Sequence, residues 1–393
     1  MDDWTPELHR RYHRLRVLGH GAFGEVVAAV DRATGQRVAV KRVFSRAGTA
    51  AGAALREARA LRALRHPNVV ALLDATAEGP CLHLVQELCA TDLSRLLDAT
   101  YGQLPAPVAK ALMRQLLAAL AACHGAGLMH RDVKPSNLLL GFDGCLKLGD
   151  FGLARAVAGG EGSPGGSPED SGPAEAADAA AEAEAAAAAE PTADADADAD
   201  SPPSAPGSPA YSPAVATRWY RAPELLFGAS KYDGAAVDVW GAGAVFAEML
   251  GLCPLAPGAS DIGQLALLQR LLGQITPRSW PGVEKLPDWG KVRFDPPEGG
   301  DPGSGGADPA EFARAGLAGA LPDAGSDALD LLASLLSYLP AGRPSAAQAL
   351  ADPYFQNPPA PAEASEVAAF AAAALSTHAR AERALGALAA LGG

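Results

Sequence analysis

The chain has 393 residues, 49% of them hydrophobic, which is enough for two packed lobes with a substantial core. Its formal net charge is −13, but 12 of its 45 acids fall in residues 156–210, which hold no Lys or Arg; the remaining 33 nearly balance the 32 bases, so no basic tract argues for nucleic acid or an anionic membrane as partner. No apolar run approaches the roughly 18 residues of a membrane span, the N-terminus has no secretory pattern, and five dispersed cysteines (Cys81, Cys89, Cys123, Cys145, Cys253) with no C-x-x-C pair argue for reduced thiols in a cytoplasmic or nuclear protein over disulfides or a zinc site.

Residues 12–30 alternate apolar and small residues around glycines and predict a glycine-rich hairpin. Within it, Gly19-His20-Gly21-Ala22-Phe23-Gly24-Glu25-Val26 has the form G-x-G-x-x-G-x-V. Glycines let backbone amides close over phosphates with no Cβ in the way, although the same residues also serve ordinary turns. Arg37–Phe44 predicts a strand, and the apolar run Val38-Ala39-Val40 ahead of Lys41 argues against a solvated strand end. Residues 53–65, with Leu55, Leu61 and Leu64 among Arg, Glu and Ala, predict an amphipathic helix stopped by His66-Pro67-Asn68. That helix carries Glu57, the candidate carboxylate for Lys41; the alternative is a solvated Glu beside Arg56 and Arg59. Leu82–Leu88 predicts a buried strand, and from Asp92 onward the pattern turns helical, as in Val108–His124.

The stretch His130-Arg131-Asp132-Val133-Lys134-Pro135-Ser136-Asn137 follows, and Asp150-Phe151-Gly152 begins 13 residues after Asn137. Together they supply a carboxylate, a lysine and two metal-binding groups, as phosphoryl transfer from a nucleotide requires. Asp132 is the candidate to accept or orient a hydroxyl proton, and Lys134 to neutralise charge on the transferred phosphate. Asn137 and Asp150 are oxygen ligands suited to Mg²⁺.

Residues 156–210 are a different material, built from Gly, Ser, Pro, Ala and acids with an Asp-Ala repeat at 194–200. Such a segment cannot bury enough apolar surface to offset its ordering entropy and predicts a disordered insertion. A short Ala-Glu helix around 174–190 is the alternative. Ala222-Pro223-Glu224, Val237-Asp238-Val239-Trp240 and Gly342-Arg343-Pro344 come later, with a second Gly/Pro/Asp loop at 296–309. The tail, 357–393, is Ala-rich; residues 364–390 form a candidate amphipathic helix with Val367, Phe370, Leu375 and Leu385, either partly docked and frayed or open to a partner.

In this order the motifs resemble those of the eukaryotic protein kinases. The resemblance spans roughly residues 12–356 apart from 156–210. It implies an α+β, two-lobed fold: a small β-rich N-lobe (12–88) with one key helix, a large helical C-lobe (89–356), and the insertion in the activation segment. It implies ATP-dependent phosphorylation of protein Ser or Thr, with ATP and Mg²⁺ as cofactors. The ATP site would comprise Leu18, Gly19, Gly21, Gly24, Val26, Ala39, Lys41, Glu57, Glu87, Cys89 and Leu139. In it, Lys41 would reach the α- and β-phosphates, the backbone of Glu87 and Cys89 would meet the base, and Val26, Ala39 and Leu139 would sandwich it. Gln86 stands where a bulky apolar residue often guards the adenine pocket. Asp132 and Lys134 would be catalytic, and Asn137 and Asp150 would bind metal. Glu224 would pair with Arg343, and Asp238 would hold the catalytic-loop backbone.

The run Ala216-Thr217-Arg218-Trp219-Tyr220-Arg221-Ala222-Pro223-Glu224-Leu225-Leu226 resembles the branch of cyclin-dependent and MAP kinases, which prefer proline after the phosphorylated residue. MAP kinases carry Thr-x-Tyr in the lip; here the positions are Ser212, Pro213 and Ala214, which favours the cyclin-dependent side. Pro254–Pro281 and Leu321-Pro322-Asp323 are most similar to the cell-cycle-related kinases, linked to cilium and flagellum length. Expected partners are protein substrates with Ser/Thr-Pro sites. The cyclin-binding signature survives only as Ala54-Leu55-Arg56-Glu57, which leaves open whether a cyclin-like or another activator is needed. Ser212 aligns with the phosphorylated lip residue, and Arg56, Arg131 and Arg155 with the arginines that gather its phosphate. Ser163, Ser167, Ser201, Ser208 and Ser212 each precede proline, so the insertion is either a target of this or a related kinase or a plain spacer. The rival readings are a MAP-kinase-like enzyme and a catalytically inactive kinase-fold scaffold.

Overall fold

The computed structural model describes residues 4–21, 24–44, 49–78, 81–102, 104–156, 218–292, 294 and 309–391. The expectations placed on residues 157–210, on Ser212 and on nearly all of 296–309 lie outside them. The N-terminal lobe is an antiparallel sheet of β1 (Tyr12–Gly21), β2 (Gly24–Asp31), β3 (Arg37–Phe44), β4 (Leu72–Glu78) and β5 (Cys81–Glu87), in the order β1-β2-β3-β5-β4. Alternation decides what each face does, since side chains two apart share a face. Val27 pairs with Val40 and Ala29 with Val38, and this face buries against Trp4, Leu8 and Tyr12. Trp4 and Leu8 belong to or flank a short helix, α1 (Pro6–Arg11), whose Leu8 N–H is capped by the Thr5 hydroxyl at 3.3 Å. The opposite face carries Val26, Ala39 and Lys41 and turns toward α2 (Thr49–Ala63). At Gly24, φ is +158° and a Cβ would lie 1.7 Å from the Arg42 carbonyl oxygen, so the hairpin tolerates no other residue there.

The strands and α2 match the reading from sequence except at their ends; α2 begins at Thr49, before the expected residue 53, and stops at Ala63. The turn after it is tied to the second lobe: Asn68 donates to Gln115 Oε1 (3.0 Å) and to the Leu146 carbonyl (2.9 Å). α1 is short, and β4, although as long as β5, carries Asp74, Thr76 and Glu78 among small residues, so neither shows an apolar period in the sequence.

The C-terminal lobe opens with β6 (Thr91–Asp92), α3 (Leu93–Ala99) and α4 (Ala106–Gly125). By length and composition alone α4 could cross a membrane, but Leu112, Met113, Leu116, Leu117 and Leu120 are wholly buried, so its apolar character is spent on the lobe's core. Then come β7 (Leu128–Met129), β8 (Leu138–Leu140), β9 (Leu146–Leu148) and β10 (Arg155–Ala156). The remaining helices are α5 (Pro223–Leu226), α6 (Gly234–Gly251), α7 (Asp261–Leu272), α8 (Pro309–Ala320), α9 (Ser326–Leu335), α10 (Ala346–Leu350) and α11 (Ala364–Leu391). α6 is buried along nearly its whole length, from Ala236 to Met249, and packs on α4 and α9. All five cysteines are free thiols.

The tail is docked over its first half. Val367 and Ala371 of α11 are buried, Phe370 is half-buried, and the helix lies on α3 and α4. The Ala362 N–H donates to the Pro107 carbonyl (2.9 Å), and the buried Lys110 ammonium donates to the Asn357 carbonyl (2.9 Å) and sits over the Tyr354 ring. Gly144, in the turn between β8 and β9, has φ +83°, and a Cβ there would come within 1.9 Å of the Ala364 carbonyl oxygen.

The expected pair of Glu224 and Arg343 is present and fully buried: Nη1 and Nη2 donate to the two carboxylate oxygens at 2.7 and 2.8 Å. Arg343 also donates to the carbonyls of Ala236, Ser337 and Tyr338 and lies over the Trp240 ring. Removing one partner of such a pair strands the other charge. Arg343→Ala should therefore lower the unfolding free energy by about 3–5 kcal/mol, read from a denaturant midpoint at unchanged slope; a loss under about 1 kcal/mol would contradict this role.

Candidate active site

The site is assembled where α2, the β3–β5 face and the loops after β7 and β9 meet. Lys41 of β3 donates to Glu57 Oε2 (2.8 Å) on α2 and to Asp150 Oδ1 (2.7 Å) after β9. Glu57 is only 1% exposed, so the alternative of a solvated helix-face Glu fails. Burial opposes the Lys41 charge, but Glu57 and then Asp150 outweigh it and hold the ammonium above its ordinary range. Burial raises Glu57 above the usual carboxylate range, against the pull of Lys41. For Asp150 burial acts in the same upward direction, but Lys41 prevails and holds it below that range. Asp150 is left-handed, φ +59°, a conformation uncommon outside glycine and typical of functional sites.

The catalytic-loop candidates are held from below by α6. Asp238 accepts the backbone N–H groups of His130 (2.8 Å) and Arg131 (2.6 Å) and contacts His124 Nε2 (2.9 Å). His130 bridges onward to the Gly149 carbonyl (2.9 Å) and packs edge-on against the buried Phe151 ring, so this loop and the Asp150 segment are locked together. Asp132 Oδ2 receives Asn137 Nδ2 (2.9 Å) and Lys134 Nζ (2.7 Å). Its Oδ1 is buried and meets no donor among the described residues. Asn137 Nδ2 also donates to the Asp132 carbonyl (2.8 Å), which leaves the amide oxygen as the atom that can ligate a cation. Asn137 and Asp150 are thus two hard oxygen donors on adjoining segments, linked by Gly149 N–H to the Asn137 carbonyl (2.9 Å). Such a sparse set fits an ion that draws its other ligands from phosphate and water.

The expected nucleotide residues fall around this cluster. Val26 stands opposite Lys41 in the β2–β3 register, and Ala39 lies two residues before it on the same face. Leu139 of β8 packs over Gly149. The Glu87 carboxylate is occupied by the Ala71 N–H (2.8 Å) and Lys147 (3.1 Å), and its own N–H donates to the Ala71 carbonyl (3.0 Å), so neither its side chain nor its N–H is left for a ligand. Cys89 is half-buried, and burial first, then Glu87, pushes its thiol up to about 12. Leu18 sits at a register break in β1, beside Gly19, and Gly21 pairs with Gly24. Of the arginines expected to gather a lip phosphate, Arg56 adjoins Glu57 on α2, which packs on the Phe151–Leu153 turn; Arg155 follows that turn and pairs with Met129, two residues before Arg131. Ser212 itself is outside the described residues.

Three contacts had no signal in the sequence. Gln86 Nε2 donates to Glu57 Oε1 (3.1 Å), Arg95 of α3 reaches across to the Leu18 carbonyl (3.4 Å), and His124 braces Asp238. Each joins residues far apart in the chain, and each residue type is commonplace at a surface or helix end. Beside the catalytic loop, Ser94, Lys134, Pro135, Ser136, Trp219 and Tyr220 line a cavity of about 250 Å³.

Comparison with known proteins agrees with this geometry. The protein kinase domain family matches residues 12–169 and 200–355. The chain is 35% identical to cyclin-dependent kinase D-1 of Arabidopsis thaliana over 357 residues, 90% of this chain and 73% of that protein. It is 36% identical to cyclin-dependent kinase 20 of Danio rerio over 360 residues, 91% of this chain and 87% of that one. A chain in the structure of the CAK complex from Chaetomium thermophilum bound to ATP-gamma-S is similar at a TM-score of 0.69 and 31% identity, covering 92% of this chain and 95% of that one. The chain therefore belongs to the protein kinase family, as an ATP-dependent serine/threonine kinase of the cyclin-dependent type.

Proposed function

We propose that this kinase is proline-directed, uses Mg²⁺ with ATP, and acts in cell-cycle control or in control of cilium and flagellum length. The observation that carries the catalytic part is the Lys41–Glu57–Asp150 chain together with an Asp132 whose Oδ1 meets no donor among the described residues. Asp132, oriented by Asn137 and Lys134, takes the proton of the substrate hydroxyl as it attacks the γ-phosphorus. Lys134 offsets the charge gathering on the transferred group, and Lys41 holds the α- and β-phosphates. Asn137 and Asp150 would hold Mg²⁺, which when bound neutralises phosphate oxygens. The cavity beside Lys134 and Trp219 is the place for the residues flanking the phosphorylated hydroxyl.

Proline preference and the cell-cycle or ciliary role rest on the resemblance of residues 216–226 and 254–281 to their counterparts in this branch. An activator of cyclin type would bear on α2, where Leu55 is exposed beside Arg56 and Glu57. Phosphorylation of Ser212 would recruit Arg56, Arg131 and Arg155 and order the lip. A peptide array with Mg-ATP tests these points together. Ser/Thr-Pro peptides should be phosphorylated at least about 10-fold faster than Ser/Thr-Ala peptides, and Ser212→Ala should lower the rate on all of them. Equal rates on both peptide sets would remove the proline assignment, and undiminished activity of Ser212→Ala would remove the switch.

A further inference from the structure

The Lys41–Glu57 pair has a third member. In the β3–β5 register Gln86 lies opposite Ala39, and Leu84 opposite Lys41, so Gln86 projects from the face that carries Lys41. Gln86 is 8% exposed and Glu57 1% exposed. Both oxygens of the buried carboxylate are therefore filled from the sheet: Oε2 by Lys41 at 2.8 Å, Oε1 by the Gln86 amide at 3.1 Å. The amide must present its NH₂, because its oxygen would face a carboxylate.

This second donor matters because Lys41 is shared. One ammonium serves Glu57 and Asp150 at once, at 2.8 and 2.7 Å, and the bound nucleotide adds phosphate oxygens to its load. A buried carboxylate that loses part of its cation needs another donor to stay charged and in place. We propose that Gln86 is a positioning residue that anchors Glu57 from β5, and through Glu57 fixes Lys41 where the nucleotide phosphates bind. The proposal rests on the kinase reading of the site. It gives Gln86 a task distinct from shaping the adenine pocket, since a pocket effect would be felt by any ligand carrying the base, whereas a Lys41 effect requires phosphates.

The test compares ATP with adenosine. Gln86→Met keeps the length of the side chain and removes the donor. Calorimetry in Mg²⁺ should show ATP binding weakened by about 10-fold, the loss expected for a hydrogen bond to a charged group, with adenosine affinity within about twofold of wild type. Retained adenosine binding also reports a folded cleft. In a Glu57→Ala background the same substitution should cost nothing further for ATP, because the two act in series. Equal weakening of ATP and adenosine, unchanged ATP affinity, or a full additional loss in the Glu57→Ala background would each overturn the role of Gln86 while wild-type ATP binding leaves the kinase reading standing. Wild-type protein that binds no ATP would overturn both.

Discussion

Replacing Asp132 by Asn is expected to lower kcat on a Ser/Thr-Pro peptide by about 10²–10⁴-fold, the usual contribution of a positioned general base, with Mg-ATP affinity close to wild type. The geometry gives the reason. One oxygen of Asp132 is pinned by two donors, Asn137 Nδ2 at 2.9 Å and Lys134 Nζ at 2.7 Å. An Asn in its place must turn its single oxygen to those donors. Its NH₂ then occupies the position of Oδ1, the atom that has no partner among the described residues, and offers the incoming hydroxyl a donor instead of an acceptor. Backbone positioning should survive, because Asp238 holds the loop through the N–H groups of His130 and Arg131. Steady-state kinetics with parallel calorimetry decide the matter. Activity within about threefold of wild type would mean that Asp132 only orients the hydroxyl and takes no proton.

Lys41→Met is the second large effect, and it acts through binding and order together. Lys41 bridges Glu57 and Asp150, and without it two carboxylates face a site that must accept a polyanion. The catalytic efficiency for ATP should fall by about 10²–10³-fold, as when a preorganised charge on the reacting phosphates is removed. Glu57 is already raised by burial, and losing Lys41 removes the chief influence opposing that rise. The carboxyl then keeps only the Gln86 amide as a recorded hydrogen-bond link to the sheet, and α2 should loosen. Faster amide exchange across Thr49–Ala63, with exchange in α4 and α6 unchanged, is the expected signature. Full activity in this variant, or unchanged protection of α2, would show that the Lys41–Glu57 pair does not govern the helix.

Much of this was legible in the chain. Lys41, Asp132, Asn137 and Asp150 stand in short motifs that resemble those of the protein kinases, so reading them required no knowledge of contacts. The strands around Val38–Val43 and Leu82–Glu87 and the helix after Pro105 likewise showed their periods locally. Boundaries were poorer: α2 starts before its apolar pattern does, in Thr49–Ala53, where three alanines favour helix, Thr49 and Gly52 do not, and periodicity is silent. β4 and the six-residue α1 exist because the sheet offers them a partner and a surface, which no local pattern reveals.

The class of enzyme was thus legible in the sequence alone, because the motifs holding Lys41, Asp132, Asn137 and Asp150 stand in an order that resembles the protein kinases. Only tertiary structure decided that Glu57 is buried rather than solvated, that Gln86 backs it, that His124 backs Asp238, and that the Ala-rich tail packs on α3 and α4. Those outcomes depend on which donors and apolar surfaces meet across separations such as the 29 residues from Glu57 to Gln86 or the 114 from His124 to Asp238. Hydrogen bonds and burial depend on distance in space, and distance along the chain does not set it until the lobes have packed.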